Sequence, residues 1–134
     1  MGTATLAKTY VASLVAFLVL DFAWLGLIAR GFYRSQLGHL LSPDVRWPAA
    51  ILFYLLFIAA IVVFAVVPAV ERGSLLRAVI LGGFFGVVAY ATYDLTNLAT
   101  MKDFPSLVAA VDMTWGCALS AAVAAVGYIV AARG

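Results

Sequence analysis

Three aspartates, Asp21, Asp94 and Asp112, interrupt stretches of this chain that are otherwise almost wholly apolar. LDFAWLG carries Asp21 and Trp24, VDMTWGC carries Asp112 and Trp115, and YATYDLTN carries Tyr90, Tyr93, Asp94, Thr96 and Asn97. An acid in the middle of a bilayer costs roughly 2.5 to 3.5 kcal/mol on insertion scales, so three of them call for a purpose. No Lys, Arg or His occupies the interior of any apolar stretch, since Lys8 and Arg77 stand near the ends of theirs. Without basic partners, three neighbouring carboxylates cannot all be ionised in hydrocarbon. Either they hold protons or something cationic sits among them.

The elements that position these residues follow from length and composition. The chain has 134 residues, of which 66% are hydrophobic and 10% charged. Soluble domains carry roughly one quarter charged residues. Four apolar runs account for the difference, and each reaches the roughly 20 residues that a helix needs to cross a bilayer. They predict helices over about residues 5–29, 48–70, 75–99 and 105–132, in one transmembrane domain spanning residues 1–134. The fold class is therefore an all-α integral membrane protein, a four-helix transmembrane bundle running up-down-up-down.

Two connections read as tight turns, Glu71 to Ser74 and Lys102 to Pro105, with Asp103 placed to cap the last helix. The first connection is longer. Within it Tyr33, Leu37, Leu40 and Leu41 recur at helical spacing, which predicts a short amphipathic helix lying in the membrane interface between helices 1 and 2. The balance of charge is only +2 and no basic tract is present, so nucleic acid is not a partner. Cys117, the one cysteine, reads as a small packing residue, and His39 as a solvated or headgroup-facing one. Basic residues divide evenly between the two sides, so orientation stays open.

Alternation of direction brings the three acids together. Asp21 and Asp94 precede the ends of helices 1 and 3, while Asp112 follows the start of helix 4. All three then fall near one membrane face, about 6 to 13 Å below it at 1.5 Å per residue. Gly83, Gly86, Tyr90, Tyr93, Asp94 and Asn97 also follow one another at three- and four-residue spacing, apart from the adjacent Tyr93-Asp94 pair, and line one stripe of helix 3. In helices 1 and 4 the D-x-x-W spacing sets Trp24 and Trp115 on the faces of their own aspartates. Helix 2 has no acid and reads as a packing wall. Plainer roles stand beside these: a hydrogen-bond cluster fixing helix register around Asp94, helix capping by Asp21 and Asp112, and an aromatic belt for the tryptophans.

LDFAWLG, the Phe53-Tyr54 pair, YATYDLTN and VDMTWG together make the chain resemble a bacterial family of small four-span membrane proteins, domain of unknown function 2177. The resemblance covers essentially the whole chain. It implies the four-span fold and a multi-pass place in the bacterial inner membrane, with a loose connection to lipids, but no activity.

Two functions fit the residues. One is a carboxylate-lined intramembrane pocket that binds, or transports, a small cation, a proton-coupled solute or a polar lipid headgroup; transport by so small a chain calls for a homodimer. The pocket is expected to comprise Asp21, Trp24, Tyr90, Tyr93, Asp94, Thr96, Asn97, Asp112 and Trp115. The other is a membrane enzyme acting on a lipid or isoprenoid, with one Asp as acid and another as base. In either, a divalent cation held by Asp21, Asp94 and Asp112 suits the oxygen donors. Against the enzyme, no D-D-x-x-D run, histidine box or H-E-x-x-H is present.

Overall fold

The computed structural model describes all 134 residues and contains helices and no strands. Four helices are long and apolar enough to cross a membrane. We number all five in chain order: α1 Thr3–Ile28, α2 Arg30–Leu37, α3 Trp47–Glu71, α4 Leu75–Thr100 and α5 Ser106–Ala132. The protein is a multi-pass membrane protein in contact with the lipid bilayer.

Local sequence explains where the long helices start and bend. Pro48 occupies the first turn of α3, where its missing N–H breaks no hydrogen bond. Ser74 caps α4, its hydroxyl accepting the Arg77 amide at 3.1 Å, and Gly73 makes the preceding turn with a φ of 59°. Two turns widen to π-helical form, Trp24–Ile28 at the end of α1 and Val62–Val66 within α3. The second lies just ahead of Pro68, which has no amide to give the preceding turn.

The capping role expected of Asp103 is not realised. Helix α5 begins at Ser106 after an extended Pro105, with no side-chain cap, and Asp103 adopts a left-handed φ of 63° in the turn before it. Aspartate is one of the few side chains that tolerate this conformation, and the tight return uses that property instead. The short helix α2 is present but ends at Leu37, leaving Leu40 and Leu41 exposed beyond it. Leu37 is buried against Phe104, Val108 and Ala109, so α2 is tucked onto the start of α5.

The interior is centred on Phe17 of α1, Phe57, Ile58 and Ile61 of α3, and Leu119 and Val123 of α5. Helices α4 and α5 run against each other over most of their length. Glycine permits this: a Cβ at Gly86 would strike the Gly116 carbonyl and Ser120, and one at Gly116 would strike the ring of Tyr90. Helix α1 rests on α5. The second half of α3, from Val62 onward, packs on α4 and α5, whereas the backbone of its first half, Trp47–Ile61, leans on α1 and draws away from α4, which it reaches through the Phe57 ring on Phe85 and Tyr90. Spans two and three thus meet at one end and part at the other.

Candidate functional site

The gap left by that divergence holds a cavity of about 600 Å³. Asp21 and Leu25 of α1, Phe53 and Tyr54 of α3, Tyr90 and Tyr93 of α4, and Asp112 and Trp115 of α5 contribute to its wall. Five of these side chains are aromatic, two are carboxylates and none is basic.

Each carboxylate is held by a hydrogen bond from a neighbouring helix. The Trp115 indole N–H donates to Asp21 Oδ1 at 3.2 Å. The Tyr33 hydroxyl donates to Asp112 Oδ1 at 2.8 Å and itself receives the Trp24 indole N–H at 3.2 Å. The two indoles lie flat on each other, with ring centroids 4.5 Å apart and planes 8° from parallel. The D-x-x-W segments therefore trade partners. Trp115 serves the aspartate of α1, and Trp24 reaches the aspartate of α5 through Tyr33. The second oxygen of Asp21 makes no hydrogen bond, and Asp112 makes none besides that of Tyr33, although the Asp94 carboxyl lies close beside it. Asp21 is only 6% exposed, so its carboxylate meets the cavity and little else.

Asp94 differs. It is 0% exposed, both of its oxygens lack a hydrogen bond, and it does not line the cavity. It is packed behind Asp112, its nearest charged neighbour, and Asp112 is also within electrostatic reach of Asp21. Asp21 and Asp94 each lie within electrostatic reach of Asp112, but no group of three acidic, histidine or cysteine side chains is placed to share a metal ion. The geometry gives the divalent-cation arrangement no support, because Asp94 is walled off from the space that the other two face.

A family profile described as "Predicted membrane protein (DUF2177)" matches residues 6–129. The chain belongs to the DUF2177 family. Comparison with curated proteins and with solved structures finds no match.

Of the residues singled out by sequence in this DUF2177 protein, Asp21, Tyr90, Tyr93, Asp112 and Trp115 line the cavity. Trp24 stands one layer back, stacked on Trp115. Asn97 is half-buried and Thr96 is exposed, and neither reaches the cavity. At 100° per residue Thr96 is about 200° around the helix from Asp94, so the two cannot both point inward. Sequence reasoning missed Tyr33, assigned to a lipid-facing stripe, and it underrated α3, whose Ala50, Phe53 and Tyr54 complete the wall.

Tyr33 is the one site residue contributed from outside the membrane-spanning helices. Burial pushes its phenol above the ordinary value of 10; the Trp24 donation pulls it partly back, and the hydrogen bond and charge of Asp112 push it up again. The neutral, donating form is therefore favoured in the folded protein. Its contribution to stability is fully present below pH 10, the unfolded value, and is lost only as pH rises through the elevated folded value. Amide exchange in Arg30–Leu37 is expected to stay unchanged between pH-corrected measurements at pH 7 and 9.5. Tyr33→Phe removes the hydrogen bond to Asp112; such a bond contributes about 0.5 to 1.5 kcal/mol, and about 1.5 to 3 where the acceptor carries charge. It is expected to speed exchange in α2 at least tenfold while leaving α4 and α5 protected. Equal protection of α2 in the variant would show that the latch does not hold it.

Proposed function

We propose that this protein binds a cation of the ammonium type in the cavity between α1, α3, α4 and α5. One observation carries the reading: Asp21 and Asp112 both line a single cavity whose wall holds five aromatic rings and no basic group. Acids in a low-dielectric setting attract positive charge strongly, and aromatic faces add a further attraction for alkylated nitrogen. The aromatic wall favours a poorly hydrated organic cation over a small metal ion, whose many oxygen ligands are not supplied here.

In this reading Asp21 and Asp112 provide charge, Tyr54, Tyr90 and Trp115 provide faces, and Trp24 and Tyr33 hold the carboxylates in place. The pocket belongs to a bacterial inner-membrane protein, and transport through it would proceed as a homodimer. The enzyme alternative would use the same two carboxylates and the tyrosine hydroxyls of the wall, but no observation points to a substrate bond for them to act on.

The test is tetramethylammonium binding to the purified protein in nanodiscs, read by the fluorescence of the stacked Trp24 and Trp115. Saturable quenching or a spectral shift is expected for the wild type. Asp112→Asn or Asp21→Asn is expected to weaken it by tenfold or more, since a hydrogen-bonded or paired charge is worth about 1.5 to 3 kcal/mol. Identical titrations for all three proteins would overturn the reading.

A further inference from the structure

The two ends of the cavity are not alike. Toward the start of α5, α2 is fastened beside it by Tyr33 on Asp112, and Leu37 is buried on Phe104, Val108 and Ala109. Tyr93 also packs edge-on against Phe104 at 6.1 Å, joining the α4 wall to the same side. Toward Val62–Val66 the cavity ends at the packed interior, where α3 closes on α4 and α5. Sideways it has no such closure. Phe57 meets Phe85 and Tyr90 of α4 at the floor of the cleft, but nearer the start of α3 the two helices part, and the residues flanking the cleft there are apolar or aromatic and open to the outside, Phe53 at 46% and Tyr93 at 55% exposed.

In a bilayer, the outside of this cleft is lipid. Lipid-facing surfaces carry apolar side chains, and the lips here do so too. A water-borne cation arriving through the cleft would have to cross hydrocarbon stripped of its hydration, which is costly for a free charge. An amphiphile avoids that cost, because its tail stays among lipid tails while its head moves a short distance from the interface to the carboxylates.

We infer that the cavity is loaded sideways, from the bilayer, by an amphiphile whose ammonium head pairs with Asp21 and Asp112 and whose chain leaves between α3 and α4. The inference rests on the cation-binding reading above and adds where the ligand resides and how it enters. The head is an ammonium, quaternary or primary; the tail is what the cleft selects. Phe53 and Tyr93 are the lips along which the chain lies, and the carboxylates with Tyr90 and Trp115 surround the head.

The experiment is photolabelling in proteoliposomes with a long-chain alkyltrimethylammonium carrying a diazirine in its chain, beside a chain-matched neutral alcohol. Peptide mass spectrometry is expected to find the ammonium probe concentrated on the segments around Phe53 and Tyr93. Excess tetramethylammonium is expected to remove that labelling by displacing the head, and Asp112→Asn or Asp21→Asn to reduce it tenfold or more. The alcohol is expected to mark all lipid-facing helix surfaces evenly. Even labelling by the ammonium probe, with tetramethylammonium still altering tryptophan fluorescence, would overturn lateral loading and leave the cation site standing. Concentrated labelling by the alcohol as well would reduce the cleft to a nonspecific lipid groove and overturn the inference. No response of the wild type to either cation would remove both claims, and that result does not depend on how any variant folds.

Discussion

Asp94→Leu is expected to stabilise the protein by about 2 to 3 kcal/mol. Leucine copies the branched shape of aspartate and removes two polar atoms that are fully buried without a hydrogen bond. A buried unsatisfied group costs about 1 to 3 kcal/mol, and an acid at mid-helix in a membrane about 2.5 to 3.5 on insertion scales. It also relieves Asp112 of the one acid packed behind it. Unfolding in mixed micelles of rising denaturing-detergent content reads the change. A variant that unfolds more easily than the wild type would mean that Asp94 has a stabilising partner, and the description of it as an unsupported acid would be wrong.

Gly86→Leu is expected to do the opposite, and more forcefully. The backbones of α4 and α5 touch there, so a side chain meets the Gly116 carbonyl and Ser120 at once. A carbonyl cannot rotate aside as a side-chain tip can. Overpacking a close interior typically costs about 1 to 3 kcal/mol, and a backbone clash belongs at or above the upper end. Loss of the folded, monodisperse protein in mild detergent is the expected outcome. Gly26, with nothing within 4 Å of its would-be Cβ, supplies the control, since Gly26→Ala is expected to be neutral within about 0.5 kcal/mol. Equal behaviour of the two variants would show that α4 and α5 are not in backbone contact.

How much of this was legible in the amino-acid sequence depends on the range of the interaction. The four spans were, because length and hydropathy are local properties: predicted boundaries and observed ones differ by a residue or two. Helix rise converts sequence position into depth, which is why Asp21, Asp94 and Asp112 are expected at one level from sequence alone. Rotation about the helix axis was harder. Asp94 and Tyr93 are neighbours on one helix, yet one is sealed in the interior and the other lines the cavity with half its surface exposed. Choosing between them requires knowing which helix lies on which side, and an apolar span shows little amphipathic pattern to reveal it.

The exchange of tryptophans was out of reach for the same reason. The spacing of LDFAWLG and VDMTWGC places each indole on its own helix's acidic face, but the packing of α1 on α5 hands each to the other side. Tyr33 was missed because its apolar ring fits an interfacial stripe, and its hydroxyl meets an acceptor 79 residues away. The parting of α3 from α4 left no sequence signal that we could read. Its consequence is large, for it turns a helix that looked like plain wall into one side of a cavity and a route into it.

The most direct measurement is ¹³C NMR of the side-chain carboxyls of the five aspartates in nanodiscs, assigned by single Asp→Asn variants. On addition of tetramethylammonium, the resonances of Asp21 and Asp112 are predicted to move together and saturate at one concentration, while Asp44 and Asp103 in the connections stay fixed. Movement of Asp44 and Asp103 alone, or of none, would contradict the assignment of a cation site to this cavity.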